Sequence, residues 1–139
     1  MDGYEYLDHT ADLGMRAYGK TLKELFTNAA QGLLETMAAT ETICGVQQIK
    51  INVAAESLED LMVAWLDELI FRYEVEEVLF RRVEIQQIKK KELSAIAYGE
   101  PPNLTKHVVY TEIKSVTYHQ LVVEQKSNGD WFAQVIFDL

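Results

Sequence analysis

Two stretches of this chain carry apolar residues at the spacing of an α-helix, and each follows directly on a helix-capping signature. Thr21 is followed three residues later by Glu24, and Ser57 by Asp60, so each pair can satisfy backbone N–H groups at a helix start. Each stripe is the apolar face of a helix of about four turns, which must be buried against another layer. The two helices are predicted over residues 22–37 and 58–73.

The other apolar segments alternate with a period of two, which predicts β-strands. We expect strands at 13–18, 49–53, 83–85 and 93–98 and, at the end of the chain, at 113–126 and 131–138. The order predicts an α+β fold: a single domain over residues 1–139, with a mixed or antiparallel sheet and the two amphipathic helices packed on one face.

The turns between these strands are also predicted from local residues. The three lysines at 89–91 are expected to form a hairpin turn, with a basic patch for RNA as the alternative interpretation. The Asn128-Gly129 pair predicts a type I′ turn, in which both residues have positive φ. Residues 103–112 show weak periodicity and are expected to form a loop.

Composition narrows the possible partners and locations. The chain has 22 acidic and 13 basic residues and a formal charge of −9, which disfavours direct nucleic-acid binding and allows binding of cations or basic proteins. The sequence lacks a membrane-length apolar run and a signal peptide, so no membrane association and a cytoplasmic location are expected. Cys44 is the only cysteine and is expected to be a small buried apolar residue.

Common catalytic motifs are missing from the sequence. It contains no glycine-rich phosphate loop, no GxSxG elbow and no HExxH pair, and the histidines are scattered at His9, His107 and His119. No local motif therefore proposes a catalytic site.

The acidic residues near the two ends of the chain indicate a candidate site more clearly than the scattered histidines do. Asp12 begins the first predicted strand, and Asp138 ends the last one, beside the C-terminal Leu139. If those strands are antiparallel neighbours, the two side chains and the terminal carboxylate meet and repel one another. A divalent cation would relieve that repulsion, and oxygen ligands favour calcium, magnesium or manganese over zinc or copper. The alternative is that these acids simply face solvent, and that Asp8, His9 and Asp12 only shape a turn.

Four segments together resemble the archease family, in the family's order and over nearly the whole chain. They are YEYLDHTADLGMRAYG (4–19), LEDLMVAWLDELIFRYE (58–74), EIKSVTYHQLVVEQ (112–125) and NGDWFAQVIFDL (128–139). One position departs from the pattern, because the family leads us to expect a glycine where this chain has Gln120.

The resemblance implies a protein cofactor of the RtcB-type RNA ligase of tRNA splicing. That ligase joins RNA ends with GTP and manganese through a guanylate carried on a histidine. Archease-like proteins are thought to promote its guanylylation and multiple turnover without being ligases themselves. The implied cofactor is a divalent metal, with calcium expected in the isolated protein and magnesium or manganese as alternatives.

The resemblance also assigns residues. It puts the metal on Asp12, Asp138 and Leu139, and the family's functional lysine on Lys114. Asp8, His9 and His119 belong to the matched motifs; Asp8 and His9 are expected to shape the turn and support the metal ligands, and His119 to serve partner contact.

Two other functions remain open from the sequence. The first is a chaperone-like protein-binding module for RNA-modifying enzymes, which should expose a sizeable apolar patch. The second is a small metal-dependent hydrolase that uses the same carboxylates to activate water at a bound cation.

Overall fold

Both predicted helices are present, and each begins directly after its capping residue. A computed structural model of the chain describes residues 3–8, 12–103 and 105–139, with Asp8 described by its backbone alone. Helix α1 spans Leu22–Met37 and helix α2 spans Leu58–Glu74. The N–H groups of Glu24 and Asp60 each donate to the capping hydroxyl at 3.1 Å, so both N-caps are confirmed. The acidic partners bind elsewhere than a capping box predicts, because Glu24 accepts the N–H of Lys20 at 3.2 Å and Asp60 accepts the Tyr118 hydroxyl at 2.8 Å. No helix in these described ranges is long and apolar enough to cross a membrane.

The strands of the described residues form two antiparallel sheets, which confirms the α+β class. The four-stranded sheet has the order β1-β2-β7-β6, and the three-stranded sheet has the order β3-β5-β4. The strands are β1 Tyr4–Asp8, β2 Asp12–Gly19, β3 Gln47–Ala54, β4 Leu79–Ile88, β5 Glu92–Glu100, β6 Ser115–Gln125 and β7 Trp131–Asp138.

The helices hold the two sheets together. Helix α1 contacts β2 and β4, and α2 contacts β6 and β3, so each helix touches both sheets. Trp65 on α2 is fully buried, and its indole N–H donates to the carbonyl of Phe26 on α1 at 3.0 Å. A buried indole needs such a partner, because an unpaired N–H in the core costs free energy.

One strand was not predicted. Strand β1 pairs antiparallel with β2, with Tyr4 opposite Ala17. The Tyr6 hydroxyl donates to the carbonyl of Gly32 on α1 at 3.0 Å, and burial together with the charge of Glu35 raises its pKa to about 12. The contact with α1 thus anchors this edge strand, which the residue pattern of 4–8 alone did not indicate.

Two turn predictions had different outcomes. The lysine hairpin is confirmed, because β4 ends at Ile88 and β5 begins at Glu92. The type I′ turn is wrong: Gly129 has a φ of +93°, whereas Asn128 is not among the described residues with positive φ. The Asn128 side chain instead accepts the N–H of Asp130 at 2.9 Å, which favours an ordinary turn followed by one left-handed glycine.

The expectation for Cys44 is also wrong. The cysteine is exposed, and the Lys106 ammonium donates to its sulfur at 3.3 Å. It lies in the connection between α1 and β3, where no apolar layer covers it.

Candidate metal centre

The two acids singled out in the sequence lie opposite one another at one end of the four-stranded sheet. The register of β2 and β7 pairs Asp12 with Asp138, and the next pair is Leu13 with Phe137. Directly opposed residues share a face, with Cβ atoms about 4.5–5.5 Å apart. Met15 and Ala17 are fully buried against the core, so the alternation of β2 turns Asp12 to the outer face.

The C-terminus completes this group. Leu139 follows Asp138 directly and is 39% exposed. We name Asp12, Asp138 and the carboxylate of Leu139 the carboxylate tip.

Within the described residues, no cation pairs with the side chains of the carboxylate tip. The nearest cation on the outer face of β2, Arg16, instead lies 3.7 Å from Glu5 and donates to Gln134 at 3.1 Å. Like charges directly opposed on a sheet are destabilising. The acids of the carboxylate tip therefore repel one another, and a bound external cation would relieve this repulsion.

The donor set suits a hard cation. Its ligands are all carboxylate oxygens, which calcium, magnesium and manganese prefer. Over the part of the chain that the structure describes, no group of three or more His, Cys, Asp or Glu side chains is placed to hold a metal, and the terminal carboxylate is the third ligand predicted from the sequence. The role of Asp12, Asp138 and Leu139 as metal ligands stays a prediction.

Lys114 lies beside the carboxylate tip. Its backbone N–H donates to the carbonyl of Asp138 at 2.9 Å, and the next residue, Ser115, is paired with Asp138 in the β6–β7 register. Strand β1 ends at the same end of the sheet, since Asp8 is opposite Leu13. The Asp8 side chain and His9 lie outside the described residues.

The position of Lys114 is fixed from the helix side. The N–H of Val116 donates to a carboxylate oxygen of Asp67 on α2 at 2.8 Å. Burial raises the pKa of Asp67, and the hydrogen bond from Val116 partly opposes this rise. The start of β6 is thereby tied to α2, which holds the Lys114 backbone against β7.

His119 lies in a bend of β6 and is not among the residues paired at the tip. The β6–β7 register shifts between Thr117 and Val122, and the N–H of His119 donates to the Thr117 hydroxyl at 3.3 Å. Gln120 has a φ of +53°, in the left-handed region that favours glycine. The bend therefore has the shape for which a glycine was expected, with a glutamine in its place.

The bend is held on the helix side as well. The Tyr118 hydroxyl donates to Asp60 at 2.8 Å, and this hydrogen bond is the main cause of its raised pKa. His119 is thus presented at the surface on an anchored segment.

A second polar cluster was missed in the sequence. Glu100 accepts hydrogen bonds from Lys106 at 2.9 Å and from the backbone N–H of Cys44, and its carboxylate lies 3.0 Å from Nε2 of buried His107. Because Nδ1 of His107 accepts the N–H of Asn103 at 2.9 Å, Nε2 carries the proton and donates to Glu100.

These donors determine the charge state of the cluster. The His107 hydrogen bond, followed by that of Lys106, lowers the pKa of Glu100 to about 2. The cluster closes the loop after β5; Glu100, Lys106 and His107 are close in sequence and Cys44 is distant, and no known motif spacing indicates it.

The chain thus has an α+β fold with a pair of aspartates and the C-terminus at one sheet end. Residues 4–139 match the Archease protein family (MTH1598/TM1083). Over 140 residues, the chain is 41% identical to the protein archease of Methanosarcina mazei, covering 98% of this chain and 95% of that protein. It is 36% identical to the protein archease of Pyrococcus furiosus, with all of both chains covered. The chain therefore belongs to the archease family.

Solved structures agree with this assignment. The solution structure of protein 1598 of Methanobacterium thermoautotrophicum superposes with a TM-score of 0.81 at 32% identity, with 100% of both chains covered. The crystal structure of a Thermotoga maritima archease, described as a possible chaperone, has a TM-score of 0.68 at 22% identity. It covers 96% of this chain and 94% of its own, and it supports the fold alone.

Proposed function

We propose that this protein activates an RtcB-type RNA ligase in tRNA splicing by promoting its guanylylation, and that it acts as a cofactor protein and not as an enzyme. Membership of the archease family supports the proposal that this chain is a cofactor protein. The observation that carries the proposal is the β2–β7 register, which opposes Asp12 and Asp138 beside the chain terminus.

The chain's own residues have distinct tasks in this proposal. Asp12, Asp138 and the carboxylate of Leu139 would hold a divalent cation, which supplies positive charge at an otherwise anionic tip. Lys114 would pair with a ligase carboxylate or with a nucleotide phosphate, from a position held by its backbone bond to Asp138.

Activation requires preferential binding. A helper that binds the guanylylation-competent state and the resting state equally well shifts nothing. The carboxylate tip must therefore contact a ligase surface that differs between these two states, and the opposed acids supply a rigid, charged contact for it.

The test measures guanylylation of the ligase from the same organism at substoichiometric helper. Asp12→Ala and Asp138→Ala should each lower ligase turnover by about tenfold or more, and a tag fused after Leu139 should also lower it. Asp130→Ala is the matched control, because Asp130 is an exposed aspartate just before the other end of β7. Full turnover with both tip variants would remove the carboxylate tip from the function, and a wild-type protein without effect would refute the function itself.

A chaperone-like role is the second candidate. It is favoured by exposed large side chains on the surface, including Tyr110 at 59% and Tyr118 at 61% exposure. A holdase should suppress aggregation of unrelated unfolded proteins. Suppression by the wild-type protein without any effect on the ligase would favour this candidate over activation.

A further inference from the structure

An open groove of about 900 Å³ lies between the C-terminal end of α2 and the segment that leads into β6. One wall carries Tyr73, Glu74 and Glu77, and the other carries Tyr110, Glu112 and Lys114. We name this cavity the α2 groove. It has the size of a site for a few side chains of a partner.

The α2 groove is acidic, and its acids are uncompensated. Within the described ranges, the carboxylates of Glu74, Glu77 and Glu112 have no hydrogen bond or ion pair. Nearby acids differ: Glu68 on α2 and Glu76 just after it pair with Arg72 at 3.0 Å and 2.9 Å. The three groove glutamates outnumber the single lysine, so the charge of the groove is complementary to a basic ligand.

Apolar surface borders these acids. Phe71 lies three residues before Glu74 on the same helix face and is 47% exposed, and Val75, which caps the end of α2, is 62% exposed. Tyr110 is 59% exposed on the opposite wall. Aromatic rings beside carboxylates are suited to a guanidinium group, which stacks on the ring while donating to the acid.

The wall that contains Tyr110 is held in place by backbone bonds. The N–H of Tyr110 donates to the carbonyl of Met37 at 2.8 Å, and the N–H of Ala39 donates to the carbonyl of Val108 at 2.8 Å. The groove is thus largely preformed, which lowers the entropic cost of binding.

The other wall contains a strained residue. Glu77 has a φ of +54°, a conformation unusual for a non-glycine residue. A glycine would adopt it without strain, yet the chain has a carboxylate there. The N–H of Val78 donates to the carbonyl of Arg72 at 3.3 Å across this residue, so the left-handed turn ends α2 and places Glu77 at the groove.

The α2 groove and the carboxylate tip are continuous. Lys114 lines the groove, and its backbone N–H is bonded to Asp138 of the tip. One partner can therefore contact both.

We propose that the α2 groove binds an arginine-containing basic segment of the RNA ligase and so supplies affinity, whereas the carboxylate tip supplies activation. This inference rests on the proposed function. A nucleic acid does not fit, because its phosphates would face the three glutamates.

The experiment separates affinity from activation. Fluorescence anisotropy with labelled ligase gives the Kd, and guanylylation at saturating helper gives the maximal rate. Glu74→Lys/Glu112→Lys should raise the Kd by about tenfold or more, because like charges would now face the basic segment. The maximal rate should stay unchanged, and the difference in Kd should shrink at high salt.

Two controls exclude indirect effects. Glu84→Lys/Glu124→Lys makes the same charge change on exposed residues of β4 and β6, outside the groove, and should leave the Kd within about twofold. Glu77→Gly removes a carboxylate from the groove and also removes the steric cost of the left-handed backbone at this position. We therefore expect a higher Kd for the ligase together with a higher free energy of unfolding.

The outcomes test the groove assignment and the proposed activation of the ligase separately. Equal Kd values for the groove and control pairs would overturn the groove assignment, even if the wild-type protein activates the ligase. A wild-type protein that binds without activating would refute the proposed function, and the Kd ratio would still decide the groove. Absence of binding would refute both claims. If the wild-type protein self-associates and Glu74→Lys/Glu112→Lys abolishes this self-association, the groove binds a second copy of the chain, and its assignment to the ligase is overturned.

Discussion

The bend of β6 gives a stability prediction that depends on one backbone angle. Gln120 has a φ of +53°, and a non-glycine residue in this region costs about 1–2 kcal/mol. Gln120→Gly removes that cost. Glycine also has more conformational freedom in the unfolded chain, which lowers the free energy of unfolding by about 0.5–1 kcal/mol. The side chain is exposed, and the carbonyl that accepts Gln134 at 3.0 Å is retained. We therefore expect a net gain of about 0.5–1 kcal/mol.

For a chain of this length, such a gain raises the Tm by about 2–4 °C. Urea unfolding followed by circular dichroism measures the free energy, and a thermal scan measures the Tm. Gln120→Ala is the control, because it removes the same side chain and keeps the steric cost of a Cβ atom. The reasoning is refuted if the glycine variant is no more stable than the alanine variant.

Three further substitutions test the account by unfolding experiments. In chelator at low salt, Asp12→Asn should stabilise the protein by about 1 kcal/mol, because it removes the repulsion from Asp138; a destabilised variant would contradict the opposed charges. The pKa of Glu100 is lowered to about 2, so its contribution is present above pH 4.5 and is lost as the pH falls from 4.5 towards 2. Glu100→Gln should therefore flatten the stability profile in this range, and parallel profiles would contradict the cluster. Trp65→Phe should cost about 3 kcal/mol in urea unfolding, since it leaves a cavity and removes the buried hydrogen bond to the Phe26 carbonyl; a cost under about 1 kcal/mol would contradict that packing.

Local signals were sufficient for the helices. Thr21 with Glu24 and Ser57 with Asp60 lie at the observed helix starts, because a capping bond depends on residues close in sequence. The pairing of Asp12 with Asp138 was predicted only if the two strands that carry them are antiparallel neighbours, and the β2–β7 register shows that they are.

Features that depend on distant contacts were not predicted. Strand β1 is held by Tyr6 against Gly32, and the division of the strands into two sheets arises from how the helices sit against them. The exposure of Cys44 and the Glu100 cluster likewise depend on loops that the periodicity of the sequence does not describe.

The most direct measurement is a calcium titration into metal-stripped protein, followed by calorimetry. The account predicts that the wild-type protein binds with a Kd of about millimolar or tighter. It further predicts that Asp138→Asn weakens binding by about tenfold or more, whereas Asp130→Asn does not. Equal binding by wild type and Asp138→Asn, or no binding of calcium, magnesium or manganese by the wild type, would contradict it.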